Sequence, residues 1–132
     1  MGRDDQAAID DAKKTGPTAI IGYCLGGSLA FLAAARLSGL SAAIGYYGGQ
    51  IAKNADEKPN VPTQLHFGEK DASIPMSDVE MIKQKRGGDC EIYVYPGAQH
   101  GFNCDERGSY DEASAKLAWQ RSLAFLQKNL KK

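Results

Sequence analysis

Short apolar runs alternate along the chain with segments of helical spacing, and turn formers mark each change. Residues 4–14 contain few turn formers and set Ala7, Ala8, Ile9 and Ala12 at loosely helical intervals, which predicts a short opening helix. Thr15-Gly16-Pro17 ends it. Thr18-Ala19-Ile20-Ile21-Gly22-Tyr23 is then apolar at nearly every position, as expected of a parallel strand covered on both faces. That run stops at Cys24-Leu25-Gly26-Gly27, and residues 27–37, rich in Ala and Leu, read as a helix apolar on most sides.

Ser41–Tyr47 forms a second apolar run ending in Gly48-Gly49, and Lys53 to Asn60 lacks any period and reads as a loop. Val61–Gly68 is a third strand. Ser77-Asp78-Val79-Glu80 has the form of a capping box opening a helix to about Arg86, with Gly87-Gly88 after it. Glu91–Tyr95 alternates as a fourth strand and stops at Pro96-Gly97. A second capping box, Ser109-Tyr110-Asp111-Glu112, leads a long final helix on which Leu117, Leu123, Leu126 and Leu130 can share one apolar face. This order predicts one α/β domain over residues 1–132, a parallel sheet of about four strands flanked by helices. Ligands of such sheets gather at the carboxyl ends of the strands.

Composition narrows the partners. Sixteen basic and sixteen acidic side chains cancel, so no net field recruits nucleic acid or an anionic membrane. No apolar run approaches the length of a membrane span, about 20 residues. The opening residues are acidic and polar where a secretory signal is basic and then apolar. Cys24, Cys90 and Cys104 make an odd set without CxxC spacing, and only two histidines are present. That argues against a disulfide framework, a zinc site or any metal, and for a reducing, cytoplasmic location.

The candidate chemistry lies at strand ends. Gly22-Tyr23-Cys24-Leu25-Gly26 fits the nucleophile-elbow pattern with cysteine in the serine position. A strand turning sharply into a helix sets the nucleophile at the tip, and glycines two before and two after let backbone pass close by. The N–H of Leu25 is free of intrahelical partners by position and is the candidate oxyanion donor. The positive end of the same helix favours a thiolate. Asp71 follows the third strand and His100 the fourth, so both fall at the edge that carries Cys24, in the chain order nucleophile, acid, base. Taken singly, each has an ordinary alternative: Cys24 as a buried thiol, Asp71 as a turn former, His100 as a solvated loop residue. Tyr23, Tyr46, Tyr47, His66 and Phe102 are candidates for a substrate pocket wall, with core packing as the competing reading; His66, inside a strand, reads as structural or pocket-lining.

On these residues the sequence resembles the dienelactone hydrolase (carboxymethylenebutenolidase) family of α/β-hydrolases. The resemblance rests on Ile20 to Gly27, Tyr46-Tyr47-Gly48, Phe67 to Asp71 with Ile74-Pro75, Tyr95 to Phe102, and Ala118-Trp119-Gln120-Arg121. It implies hydrolysis of a small ester or lactone through a cysteinyl acyl-enzyme on Cys24, Asp71 and His100, with no cofactor. It also implies a partial α/β-hydrolase fold. The family's first strands precede the opening helix, and with them come a second oxyanion donor and a glutamate acting on the cysteine; this chain contains only the carboxy-terminal portion. Where the lactone hydrolases hold the substrate carboxylate with an arginine after the base, this chain has Asn103 and Cys104, with Arg107 nearby.

The first strand, residues 18–23, is therefore expected to be an exposed apolar edge and to drive homo-oligomerisation. Two other readings stay open. One is a catalytically weak remnant serving as an interaction or assembly module. The other is a redox-responsive thiol protein in which Cys104 resolves an oxidised Cys24.

Overall fold

Each apolar run becomes a parallel strand, and the strands assemble in chain order. The computed structural model describes residues 3–14, 16–103 and 111–130. Strands β1 (Ala19–Tyr23), β2 (Ala42–Tyr46), β3 (Thr63–Gly68) and β4 (Cys90–Tyr95) form one sheet in the order β1-β2-β3-β4, with every pairing parallel. Helices α1 (Arg3–Lys13), α2 (Leu25–Arg36), α3 (Met76–Arg86) and α4 (Glu112–Asn129) alternate with them, and a short 3-10 turn spans Ala52–Asn54. All residues of β2 and β3 are buried, which explains why these strands read as continuous apolar runs. The family-implied parallel sheet and the first strand at its edge are both present.

The two faces of the sheet differ in kind. Gly22 pairs with Gly45, and this flat strip lets α2 sit almost on the backbone: a Cβ on Gly27 would lie 2.4 Å from the Tyr46 carbonyl oxygen. The other face carries an aromatic row in register, Tyr23, Tyr46, His66 and Tyr93. Tyr46 stacks on His66 at 4.5 Å between ring centroids, and Tyr23 meets Tyr46 at 4.7 Å. Helix α4 covers this face.

That aromatic face corrects the expected packing of α4. Its buried stripe is Ser114, Ala115, Ala118, Ser122 and Phe125, whereas Leu117 and Leu123 are substantially exposed. Large rings on the sheet demand small side chains opposite them, and Ser122 also completes a 2.7 Å hydrogen bond with the Tyr46 hydroxyl. Only Leu126 of the expected leucines packs against the core from a partly buried position.

Both capping boxes are corrected as well. Pro75, with extended backbone, precedes α3, so Ser77 lies inside the helix and no side chain caps it. Asp111 caps α4, accepting from the Ser114 N–H at 3.5 Å and from the Ser114 hydroxyl at 2.7 Å. Ser109 lies outside the described residues. No helix among the described residues is long and apolar enough to cross a membrane.

Candidate active site

The site grows from the turn between β1 and α2. Cys24 sits at the helix start with φ 56° and ψ −121°, a conformation that costs a non-glycine residue energy and persists only where neighbours impose it. They do so here. The Cys24 N–H donates to the Tyr46 carbonyl at 3.1 Å, and the Cys24 carbonyl accepts from the N–H groups of Gly27 and Ser28. The turn closes so tightly that a Cβ on Gly22 would lie 1.9 Å from the Gly26 carbonyl oxygen. Gly26 itself differs from expectation: a Cβ there meets nothing within 4 Å. The close approaches belong to Gly22 and Gly27. Cys24 is partly buried against the core, while Leu25 is 67% exposed, and its N–H, at the first position of α2, has no carbonyl one turn back within the helix.

Asp71 and His100 meet directly. His100 Nδ1 donates to Asp71 Oδ2 at 2.7 Å, with the carboxylate fully buried and the imidazole about one-quarter exposed. Asp71 Oδ1 accepts from the N–H groups of Ser73 and Ile74 at 2.8 and 3.1 Å, so the turn-forming role and the histidine contact coexist on one side chain. Because a carboxylate only accepts, Nδ1 carries the proton of this bond, and the remaining nitrogen, Nε2, is the one left to exchange a proton. The carrying loops are tied together: Lys70 N–H donates to the Ala98 carbonyl at 2.8 Å, and Gly97 N–H to Glu69 Oε1 at 3.0 Å. Glu69 was not singled out from the sequence, although its place beside Lys70-Asp71 is part of the matching segment.

The pocket-wall expectations divide. His66 is fully buried, as are Tyr46 and Phe102, and Tyr47 is 1% exposed, so none of these presents an open wall. Only Tyr23, 39% exposed, offers surface beside Cys24. His66 is a core residue: the Tyr95 hydroxyl donates to Nδ1 at 2.7 Å, and Nε2 donates to Gln64 Oε1 at 2.6 Å. Burial, with the Arg121 cation nearby, depresses its pKa to about 3. Burial also pushes the Tyr46 phenol up to about 12. Tyr47 and Phe102 pack in line behind His100: the Tyr47 ring lies 5.1 Å from the His100 ring and 5.3 Å from Phe102. Cys104 and Arg107 lie outside the described residues. Among the described residues no group of three or more His, Cys, Asp or Glu is placed to hold a metal.

Known proteins share the sequence and fold of this chain. The profile of the dienelactone hydrolase family matches residues 3–130. A Salmonella typhimurium protein assigned as a carboxymethylenebutenolidase is 40% identical over 119 residues, 80% of this chain and 44% of its own length. The carboxymethylenebutenolidase of Pseudomonas putida is 34% identical over 131 residues, 93% of this chain and 55% of its own. A solved Klebsiella pneumoniae structure assigned as a dienelactone hydrolase superposes with a TM-score of 0.81 at 36% identity, covering 94% of this chain and 59% of that one. The chain thus spans about half the length of the curated relatives it matches. Over nearly all of its own length, from α1 to the end of α4, the chain belongs to the dienelactone hydrolase family.

Proposed function

We propose that this chain supplies the nucleophile, base and acid of a hydrolase acting on small esters or lactones. The observation that carries the reading is the 2.7 Å bond between His100 and a fully buried Asp71, at the same carboxyl end of the parallel sheet as the strained Cys24 turn. In the first half-reaction His100 Nε2 takes the thiol proton as Cys24 Sγ bonds to the substrate carbonyl carbon. The carbonyl oxygen gathers negative charge, and the Leu25 N–H donates to it. Collapse breaks the carbon–oxygen bond to the leaving group, which departs with the proton from His100 and leaves a thioester on Cys24. Water then adds to the thioester, giving its proton to His100; the acid is released and the proton returns to the thiolate. Asp71 holds the imidazole in the required tautomer and stabilises its cation.

The test is hydrolysis of an activated aryl acetate by the purified chain beside Cys24→Ala and His100→Ala. We expect turnover at least about 100-fold above the Cys24→Ala rate. Turnover undiminished in Cys24→Ala would remove the cysteine from the mechanism. Rates near background in all three proteins would favour the assembly-module reading for this chain.

A homo-oligomer through β1 is part of the same proposal. No charged residue occurs between Lys14 and Arg36, so two copies of this edge meet without like-charge repulsion. Leu29 is 40% exposed on the adjoining helix, next to an apolar cleft lined by Ile9, Ile20, Leu37 and Leu40. A two-fold axis pairs β1 antiparallel with its own copy and brings these surfaces together. Light scattering is expected to show a dimer or larger assembly that Leu29→Lys weakens about tenfold or more. A monomer across the micromolar to millimolar range, by contrast, would end this part of the proposal. An odd cysteine count without CxxC spacing supports a cytoplasmic location.

A further inference from the structure

We infer that Tyr47 is a positioning residue for His100, holding the plane of its imidazole by a ring set in strained backbone; this rests on the proposed role of His100. Among the described residues only two non-glycines have positive φ, Cys24 at 56° and Tyr47 at 38°. They stand side by side. Tyr23 and Tyr46 are register partners, so Cys24 and Tyr47 are the next residues at the ends of adjacent strands. Each is anchored by its own N–H to the neighbouring strand, Cys24 to the Tyr46 carbonyl at 3.1 Å and Tyr47 to the His66 carbonyl at 2.7 Å. Gly48 then passes so close to α2 that a Cβ there would come within 2.7 Å of the Ser28 nitrogen. The backbone is held from both sides in a conformation that tyrosine disfavours, and strain of this kind concentrates where a side chain must be aimed.

The aim of Tyr47 is visible. Its ring is buried, 5.1 Å from the His100 ring at an interplanar angle of 59°, and is backed by Phe102 edge-on at 5.3 Å. His100 needs such a wall. The single bond from Nδ1 to Asp71 fixes one point of the imidazole but leaves the ring free to swing about that bond, which would carry Nε2 away from the thiol. An aromatic surface that cannot move removes the swing. Asp71 sets the edge and Tyr47 sets the plane, and together they determine where Nε2 points. Misplacement by about 1 Å at such a base costs on the order of 100-fold.

The experiment measures the rate at which iodoacetamide alkylates Cys24 at pH 7, followed by mass spectrometry of its own peptide so that Cys90 and Cys104 do not interfere. Wild type, His100→Ala, Tyr47→Leu, Tyr47→Asn and Tyr47→Phe are compared, with urea midpoints measured in parallel. Asparagine tolerates left-handed backbone and so keeps the turn if leucine does not. Both Tyr47→Leu and Tyr47→Asn are expected to slow alkylation about tenfold, and Tyr47→Phe to restore the rate to within about threefold of wild type. Where aryl acetate turnover is measurable, the loss falls on kcat with KM unchanged. Rates for Tyr47→Asn and Tyr47→Leu within twofold of wild type overturn the inference, as does a Tyr47→Phe rate as slow as theirs. An unchanged rate in His100→Ala instead overturns the catalytic reading on which it rests, so the two failures are told apart.

Discussion

Gly22→Ala is expected to destabilise the protein by about 3 kcal/mol, at the upper end of what an added methyl group does in a packed interior. The alanine Cβ would sit 1.9 Å from the Gly26 oxygen and 2.2 Å from the Gly26 carbonyl carbon. Both are backbone atoms, and neither has room to retreat. The first turn of α2 is pinned by two hydrogen bonds to the Cys24 carbonyl, and behind it Gly27 already lies against the backbone of β2. Relief would require opening the turn that sets Cys24 at φ 56°, so the variant should lose Cys24 reactivity together with stability. Gly26→Ala is the matched control. It adds the same methyl four residues away into open space, and should shift stability by no more than about 1 kcal/mol. Urea unfolding followed by tryptophan fluorescence and circular dichroism reads both. Equal midpoints for the two variants would mean that the turn is not closed as described.

Acidification should produce the second large effect, through a core residue that takes no part in the proposed proton transfers. His66 stays neutral in the folded protein down to about pH 3, whereas in the unfolded chain it takes up a proton near its ordinary value of about 6.5. Between those limits the unfolded chain binds the extra proton, so stability is lost as the pH falls from about 6.5 towards 3. The slope is at most about 1.4 kcal/mol per pH unit from this residue, or about 2 to 3 kcal/mol between pH 6.5 and 4.5. The cause lies in the partners. His66 is enclosed by Tyr46, Tyr93 and Tyr95, its Nε2–H is taken by Gln64, and the Arg121 guanidinium lies over the Tyr93 ring at 4.1 Å. A second proton would put a charge where solvent cannot reach and a cation already stands nearby. Urea midpoints of wild type and His66→Gln between pH 7.5 and 4.5 should diverge in slope, the variant being flatter. An NMR titration of the wild-type histidine ring protons gives an independent reading if the variant folds poorly. Movement of the His66 signal near pH 6.5 would refute the assignment.

The comparison of these two glycines and two histidines shows what a linear reading can and cannot reach. The turn around Cys24 was legible because its demand is on the backbone, and backbone demands are written as glycine spacing. Even so, the pattern alone did not separate Gly22, which is crowded, from Gly26, which is not; that depends on where the Gly26 carbonyl turns. Strands were legible because burial on both faces leaves uninterrupted apolar runs. The meeting of Asp71 with His100 was inferred from their places after successive parallel strands, and the hydrogen bond is present. His66 and His100 could be ranked only in part: strand or loop position suggested their difference, while the enclosure of His66 by aromatic rings required the register of three strands. The inner face of α4 is not legible in the sequence, because which apolar side chains a helix buries depends on the surface opposite it. Serines at 114 and 122 face inward because a tyrosine hydroxyl and the helix start each require a polar partner. Tyr47 gave no local sign of its left-handed backbone beyond the two glycines that follow it.

The simple progression of strands from β1 to β4 also bears on how the protein is made. Each strand docks beside the one synthesised just before it, so the sheet can extend during translation from one side to the other without waiting for a distant segment. Along that path the Cys24 turn can close once β2 supplies the Tyr46 carbonyl, whereas His100 reaches Asp71 only after β4 has emerged. A nascent chain paused between those points carries its thiol without its imidazole. Assembly of the proposed Cys24–Asp71–His100 set therefore waits for β4, the last of these four strands to be synthesised.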